Sequence, residues 1–318
     1  MHQVVAEVWR NGWVESEHRG SVVGLATDGS VAFAVGQPDA STYPRSSAKP
    51  LQGLTMVRHG LDLKDELLAL GCASHPGEPF HVDGVRRILA GAGLTPDDLQ
   101  CTPDLPRHEP SRAAMVVAGT APAPLYMNCS GKHSAMLATC VRNGWPTATY
   151  RDPDHPLQVA IRETIGDLAG EPVTKVAVDG CGAPLFGFSL VGLARAFHSV
   201  ALGADGTAEH RVRSAMAGYP EWVGGTGSDV ARLMRALPGA VAKDGAEGVY
   251  AIGLPDGRAV ALKIADGTPR ARNVVMAAAL RRLGVPADAL AGLAEVPVLG
   301  HGAPVGAIRP AGILSGTG

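Results

Sequence analysis

Apolar positions along this chain follow two periods. Near both ends they run in short β-rich blocks, Val4–Trp9, Val22–Ala26 and Val31–Val35 at one end, Val249–Leu254 and Ala259–Ile264 at the other. Thr27-Asp28-Gly29-Ser30 joins one pair of blocks and Pro255-Asp256-Gly257-Arg258 the other, and Asp-Gly between β-rich runs marks a tight hairpin. In between, the spacing becomes helical over Leu63–Leu70, Val82–Leu94, Lys132–Asn143, Pro156–Leu168, Leu190–Val200, His210–Ala217 and Asp229–Leu237, and a further helix is predicted at Ala271–Leu283. Val173–Val178 reads as a strand inside this helical middle, and Thr95-Pro96-Asp97-Asp98 as a helix start. A helix also opens near Ser46, because Pro50 is tolerated in a first turn and Leu51, Leu54 and Val57 continue an apolar stripe.

Two-stranded hairpins are marginal alone in water, so the strands of the two ends are expected to pair into one antiparallel sheet. The predicted class is α+β, an α/β sandwich. Its sheet comes from about residues 1–40 and 245–310, and a large helical lobe from about 46–240. No linker rich in Pro, Gly or Ser separates independent units, so residues 1–318 are read as a single domain with its site where lobe meets sheet.

Composition acts mainly by exclusion. Lys plus Arg number 28 against 30 Asp plus Glu, with no basic run, so no nucleic-acid partner is expected and a small molecule is. Met1–Arg10 lacks an apolar core behind positive charge, and no uncharged apolar stretch reaches the length of a span, so neither signal peptide nor membrane segment is expected and the default compartment is the cytoplasm. Five cysteines (Cys72, Cys101, Cys129, Cys140, Cys181) are an odd set for a disulfide framework, which favours reduced, reactive or metal-binding thiols.

The chemistry concentrates in a few stretches. Arg45-Ser46-Ser47-Ala48-Lys49-Pro50 sets a hydroxyl and an amine three residues apart, and an amine on a desolvated face can be neutral and take the proton of an attacking serine. The bland alternative is a capping serine with a solvated lysine. Cys72-Ala73-Ser74-His75-Pro76-Gly77 offers a second hydroxyl in a tight loop, with His75 either a base or ligand or a hydrogen-bonder of the turn. Asn128-Cys129-Ser130-Gly131-Lys132-His133 falls short of a phosphate-binding loop, since Tyr126 and His133 stand where glycine and Ser or Thr are needed. It leaves a thiol and an amine at a helix start. Asp179-Gly180-Cys181-Gly182 adds a second thiol beside a carboxylate, so that two thiolates plus an oxygen or nitrogen ligand would suit zinc, the alternative being buried unreactive cysteines. Lys263 lies in an otherwise apolar strand. A Ser-x-x-Lys helix, a serine on a loop and a lysine on a late strand together match the three-part logic of serine β-lactamases and penicillin-binding proteins.

Taken in order, RSSAKP, CASHPGE, NCSGKH, VDGCG and LKIADG resemble the rhizobial-type, asparaginase II-like, thermolabile L-asparaginases over nearly the whole chain. The resemblance implies a β-lactamase/glutaminase-like fold, a homodimer, and hydrolysis of L-asparagine to L-aspartate and ammonia by a single catalytic domain. It implies two serine-lysine pairs, Ser46 with Lys49 and Ser74 with Lys263, and zinc ligands Cys129, Lys132 and Cys181 with Asp179 nearby. Zn2+ is the one cofactor it suggests, with no organic cofactor. Arg45 and Arg19 are expected to meet the substrate carboxylate, with His75 and Asp179 also on the substrate. The chain departs from the family pattern at Ser47, Pro76 and Gly182, which bears on pocket shape. Rival readings are a β-lactam- or peptide-active serine hydrolase of the same fold and a non-catalytic amino-acid or zinc-binding protein, while glutamine is a close competitor as substrate because one methylene is worth only about 1–3 kcal/mol.

Overall fold

A computed structural model describes residues 1–316. The chain begins with β1 (Gln3–Arg10), β2 (Trp13–Leu25), β3 (Val31–Val35) and β4 (Ser41–Thr42). The helical part follows as α1 (Lys49–Arg58), α2 (Asp65–Gly71), α3 (Pro79–Gly91), α4 (Glu109–Val117), α5 (Ser130–Asn143) and α6 (Pro156–Ala169). After β5 (Lys175–Val178) and β6 (Pro184–Ser189) come α7 (Leu190–Ala201), α8 (Ala208–Gly218), α9 (Pro220–Gly224) and α10 (Asp229–Ala236). The chain returns to strand in β7 (Val241–Asp244), β8 (Val249–Gly253) and β9 (Ala259–Ile264), then α11 (Arg272–Arg282), β10 (Val296–Gly300) and β11 (Ala303–Pro310).

The fold is α+β, and both ends of the chain do enter one sheet. It is antiparallel, in the order β10-β11-β1-β2-β9-β8-β7, with β3 also on β2; β4, β6 and β5 make a small second sheet. Every residue of β8 is buried, as is every residue of β9 except Lys263, which requires cover on both faces. On one face α7 approaches so closely that a Cβ on Gly253 would meet the Phe197 carbonyl. On the other, Tyr250 packs with Met276 and Ala277 of α11. The helical lobe continues outward from the α7 side.

Some elements differ from the sequence expectation. The first hairpin turns at Asn11-Gly12, both left-handed (φ 48° and 80°), so β2 starts earlier than the β-rich block suggested. Thr95-Pro96-Asp97-Asp98 makes a reciprocal cap, but Leu99 is already extended and only a single 3-10 turn forms. Several elements were not anticipated, among them α4, which buries none of its residues, and β7, four residues long after Pro238-Gly239. β7 is the edge strand beside the Ser46 turn, which makes it decisive for the site.

Candidate active site

Ser46 lies in the 3-10 turn Arg45–Ala48 that runs into α1, and such a turn brings residues three apart, here Ser46 and Lys49, onto one side. Arg45 adopts φ 52°, a left-handed conformation that costs a non-glycine residue about 1–3 kcal/mol. Two contacts hold it there. Its guanidinium donates to Asp179 at 2.9 Å, and the turn after β7 closes on the preceding Pro44 at a place where a Cβ on Gly245 would sit 2.5 Å from the Pro44 carbonyl. The Ser46 hydroxyl lines a cleft of about 330 Å³ and has no hydrogen bond among the described residues.

Lys49 is buried at the floor. Its Nζ donates to Ser74 Oγ at 2.9 Å, to Cys129 Sγ at 3.2 Å and to the Ala73 carbonyl, all neutral acceptors, since the Cys129 thiol is pushed well up by its hydrogen bond to Cys181 and by burial. The Ser74 loop is pinned on both sides, by its own N–H to Val223 O at 3.0 Å and by the His75 N–H to Asn128 O at 3.1 Å.

The strand lysine at this site is Lys243, not Lys263. Lys243 is fully buried beside Lys49 and bonds Asp244 Oδ1 at 2.6 Å, while the Ser47 hydroxyl donates to the Lys243 carbonyl at 3.0 Å. Lys263 sits on β9, two strands further from the serine turn, and its amine is turned onto the carbonyls of Glu247 and Ile264. Burial and the charge of Lys49 press the Lys243 amine down against the pull of Asp244. Burial alone would raise Asp244, but the Lys243 ammonium and the Arg272 guanidinium, 3.2 Å away, outweigh it and hold the carboxyl well below the usual range.

Two expected substrate ligands lie elsewhere. Arg19 is on the solvent face of β2, paired with Glu17 at 3.6 Å, because alternation along the strand turns His18 inward and Arg19 out. His75 is buried behind the Ser74 turn, where Nε2 meets Ser130 Oγ at 3.0 Å and the ring stacks on His81 at 5.1 Å. Burial keeps it neutral, far below the usual histidine value. Arg45 and Asp179 do line the cleft, as partners of one another. Sequence reading passed over Arg107, Asp244, Glu247 and Arg272, which also line it. The signal for the last was its place at the start of α11, and for Asp244 its place at the end of the four-residue strand β7; neither forms a motif. Arginines and carboxylates thus line the cleft together, a lining suited to a zwitterion.

The thiols meet at one wall. Cys129 caps α5, Lys132 is in its first turn, and Cys181 follows β5 in a turn closed by Gly182 at φ 82°. Lys132 Nζ is 3.2 Å from Cys181 Sγ. A hydrogen bond from Cys129 lowers Cys181 against the effect of burial, with the Lys132 ammonium assisting, and the two thiols in turn hold Lys132 in its charged form although burial opposes it. Among the described residues no group of three or more His, Cys, Asp and Glu is placed to hold a metal, so a zinc ion here would have two thiolates and, as nitrogen ligand, a Lys132 that has lost its proton. The Cys129 thiol would likewise have to give up its proton; with both changes the donor set fits zinc, and both cysteines line the cleft.

Comparison with known proteins gives one family. The family model for L-asparaginase II matches residues 6–310. No curated protein matches the chain. Among solved structures, a β-lactamase from Mycobacterium bovis is similar at 15% identity over 78% of this chain and 88% of its own, with a TM-score of 0.42. A putative β-lactamase from Bacteroides dorei is similar at 16% identity over 77% of this chain and 84% of its own, TM-score 0.43. A Bacillus glutaminase is similar at 12% identity over 77% of this chain and 83% of its own, TM-score 0.29.

Proposed function

We propose that this chain, which belongs to the L-asparaginase II family, is an amidohydrolase that converts L-asparagine to L-aspartate and ammonia through an acyl-enzyme on Ser46. The observation that carries the reading is Lys49, a buried amine at the cleft floor with a hydroxyl as its partner and no carboxylate. In its neutral form it accepts a proton through Ser74 as Ser46 Oγ attacks the side-chain amide carbon, and it returns that proton to the departing nitrogen. Water then cleaves the ester with the same groups acting in reverse. N–H groups of the Ser46 turn are the nearest donors for the developing oxyanion. Lys243, paired with Asp244, stabilises negative charge beside the reacting centre. Arg45 and Arg107 take the α-carboxylate, and Asp179 with Glu247 the α-ammonium.

Zinc, when bound, would supply Lewis-acid polarisation or orientation of the substrate. Cys129, Cys181 and Lys132 are the residues that would hold it. The experiment on zinc is its stoichiometry per chain after dialysis, and a Cys181→Ser variant that keeps full stoichiometry would exclude this set. The homodimer is proposed on the family resemblance, with sedimentation velocity as its check.

The Lys49–Ser74 bond of 2.9 Å favours a second reading, in which Ser74 is the nucleophile. Ammonia release from L-asparagine and L-glutamine, with mass spectrometry of the trapped acyl-enzyme, separates the two. Loss of turnover in Ser46→Ala with the acyl mass on the peptide containing Ser46 supports the first reading. Turnover retained in Ser46→Ala moves the nucleophile to Ser74, and no turnover of either amide by folded wild type removes the enzyme reading.

A further inference from the structure

Behind Ser74 lies a second chamber of about 310 Å³, and it shares Ser74, Asp244 and Arg272 with the main cleft. Its far wall is Gly224, Gly227, Ser228, Asp229 and Val230, the junction of α9 and α10. That junction is built onto the Ser74 loop. Val223 O accepts the Ser74 N–H, the buried Glu78 carboxylate accepts the Thr226 N–H at 2.7 Å, and Gly225, at φ 100°, lies against Pro76 with no room for a Cβ. The chamber is therefore a built part of the molecule, held by hydrogen bonds to the loop that carries the Lys49 partner.

Its position relative to the reaction gives it a use. The departing nitrogen must receive a proton, and the amine at the floor of the cleft reaches the reacting centre through Ser74, so that nitrogen faces Ser74. Arg45 and Asp179, assigned above to the amino-acid end of the substrate, line the main cleft and not the second chamber. A substituent on the amide nitrogen consequently points past Ser74 into the second chamber. Ammonia is the size of a water molecule and leaves most of that space unused. In the chamber Arg272 is tied to Asp244 at 3.2 Å, and the carboxylate left at the wall is Asp229, in an exposed ion pair with Arg232 that is easily exchanged.

We infer that the enzyme also hydrolyses N-substituted side-chain amides, with the substituent of the leaving amine in the chamber bounded by Ser74, Asp229 and Asp244, and that a cationic substituent is favoured there. The inference rests on the amidohydrolase reading above. The step balances with water alone: Ser46 Oγ bonds to the carbonyl carbon, the C–N bond breaks, the proton taken from Ser46 passes to the amine, and water cleaves the ester to give aspartate and the free serine.

The test is kcat/KM of the full chain for L-asparagine, N4-methyl-L-asparagine and N4-(2-aminoethyl)-L-asparagine, measured by aspartate formation. The expected result is that both substituted amides react within about tenfold of L-asparagine, and that Asp229→Asn lowers the ratio of the aminoethyl to the methyl compound about fivefold, the scale of one partly exposed charge pair. Substituted amides slower than L-asparagine by more than about a hundredfold overturn the inference while leaving the primary amidase intact. An unchanged ratio in Asp229→Asn, with its melting temperature retained, overturns it as well. Failure of all three substrates overturns the amidohydrolase reading itself, a result distinct from the others.

Discussion

Two buried lysines neighbour one another beneath the cleft, and their partners are of opposite kinds. Lys243, on the edge strand, faces a carboxylate at 2.6 Å that is itself gripped by Arg272. Lys49, at the start of α1, has a hydroxyl, a thiol and a carbonyl. Burial presses Lys243 down, and Asp244 opposes it by giving the protonated form a charge partner. An amine whose acceptors are neutral can lose the proton without stranding a charge, and the group beside it, Ser74, can pass one on. The division of labour follows from which acceptor each strand or helix end brings.

Exchange of the two roles is tested by substitution. Lys49→Met is expected to reduce kcat for ammonia release by about 10³–10⁴-fold. Its stability should fall by only about 1–3 kcal/mol, since three neutral acceptors lose a donor and no charge is left behind. Asp244→Asn should do the reverse. It strands Lys243 and Arg272 and costs about 3–5 kcal/mol in urea unfolding. If Asp244→Asn unfolds like wild type, Lys243 is not held as a cation and the contrast collapses.

The difference between the two lysines also explains what was readable in the sequence. Ser46, Lys49, Ser74, Cys129, Lys132 and Cys181 lie in short local motifs, so spacing alone places them near turns and helix starts. Both-ended strand pairing followed from the marginal stability of lone hairpins. The lysine of the strand could not be chosen that way. Lys243 and Lys263 each follow an apolar run, and the deciding fact is that β7 rather than β9 is the sheet edge against the Ser46 turn, a property of strand order. Arg19 was misplaced for a smaller reason, the phase of alternation in β2, which a one-residue shift inverts. Arg107 and Arg272 carry no motif at all.

The histidines behind the Ser74 turn extend the comparison to groups that make no ion pair among the described residues. Burial lowers His75 far below its ordinary value of 6.5 and His81 to about 4, the His75 effect strengthened by His81 and the His81 effect opposed by Glu78. In the unfolded chain both take up protons as pH falls through 6.5, whereas in the folded chain they do not until about 4 or below. Their contribution is thus complete above pH 6.5 and is lost progressively between 6.5 and 4. A loss of at least about 3 kcal/mol across that window is expected in urea titrations, and His81→Phe should reduce it, His75 supplying what remains. Asp244 adds its own loss only at lower pH, once the medium drops below the ordinary carboxylate range, because its folded form is held down. A decline that starts above pH 7 would point to other groups.

The smallest effect is expected at Arg107, on the cleft rim. It is exposed and has no ion-pair partner among the described residues, unlike Arg45, which is tied to Asp179. An exposed guanidinium attracts a substrate carboxylate in high dielectric, so its worth is at most about 1 kcal/mol and is screened by salt. Arg107→Ala should therefore raise KM for L-asparagine by about three- to fivefold with kcat nearly unchanged, and the difference should shrink as ionic strength rises. Arg45→Ala, by contrast, releases Asp179 and the strained turn before Ser46, and should lower kcat as well at any salt concentration. Equal behaviour of the two variants would mean that the Arg45–Asp179 pair does no more for Ser46 than a surface charge does.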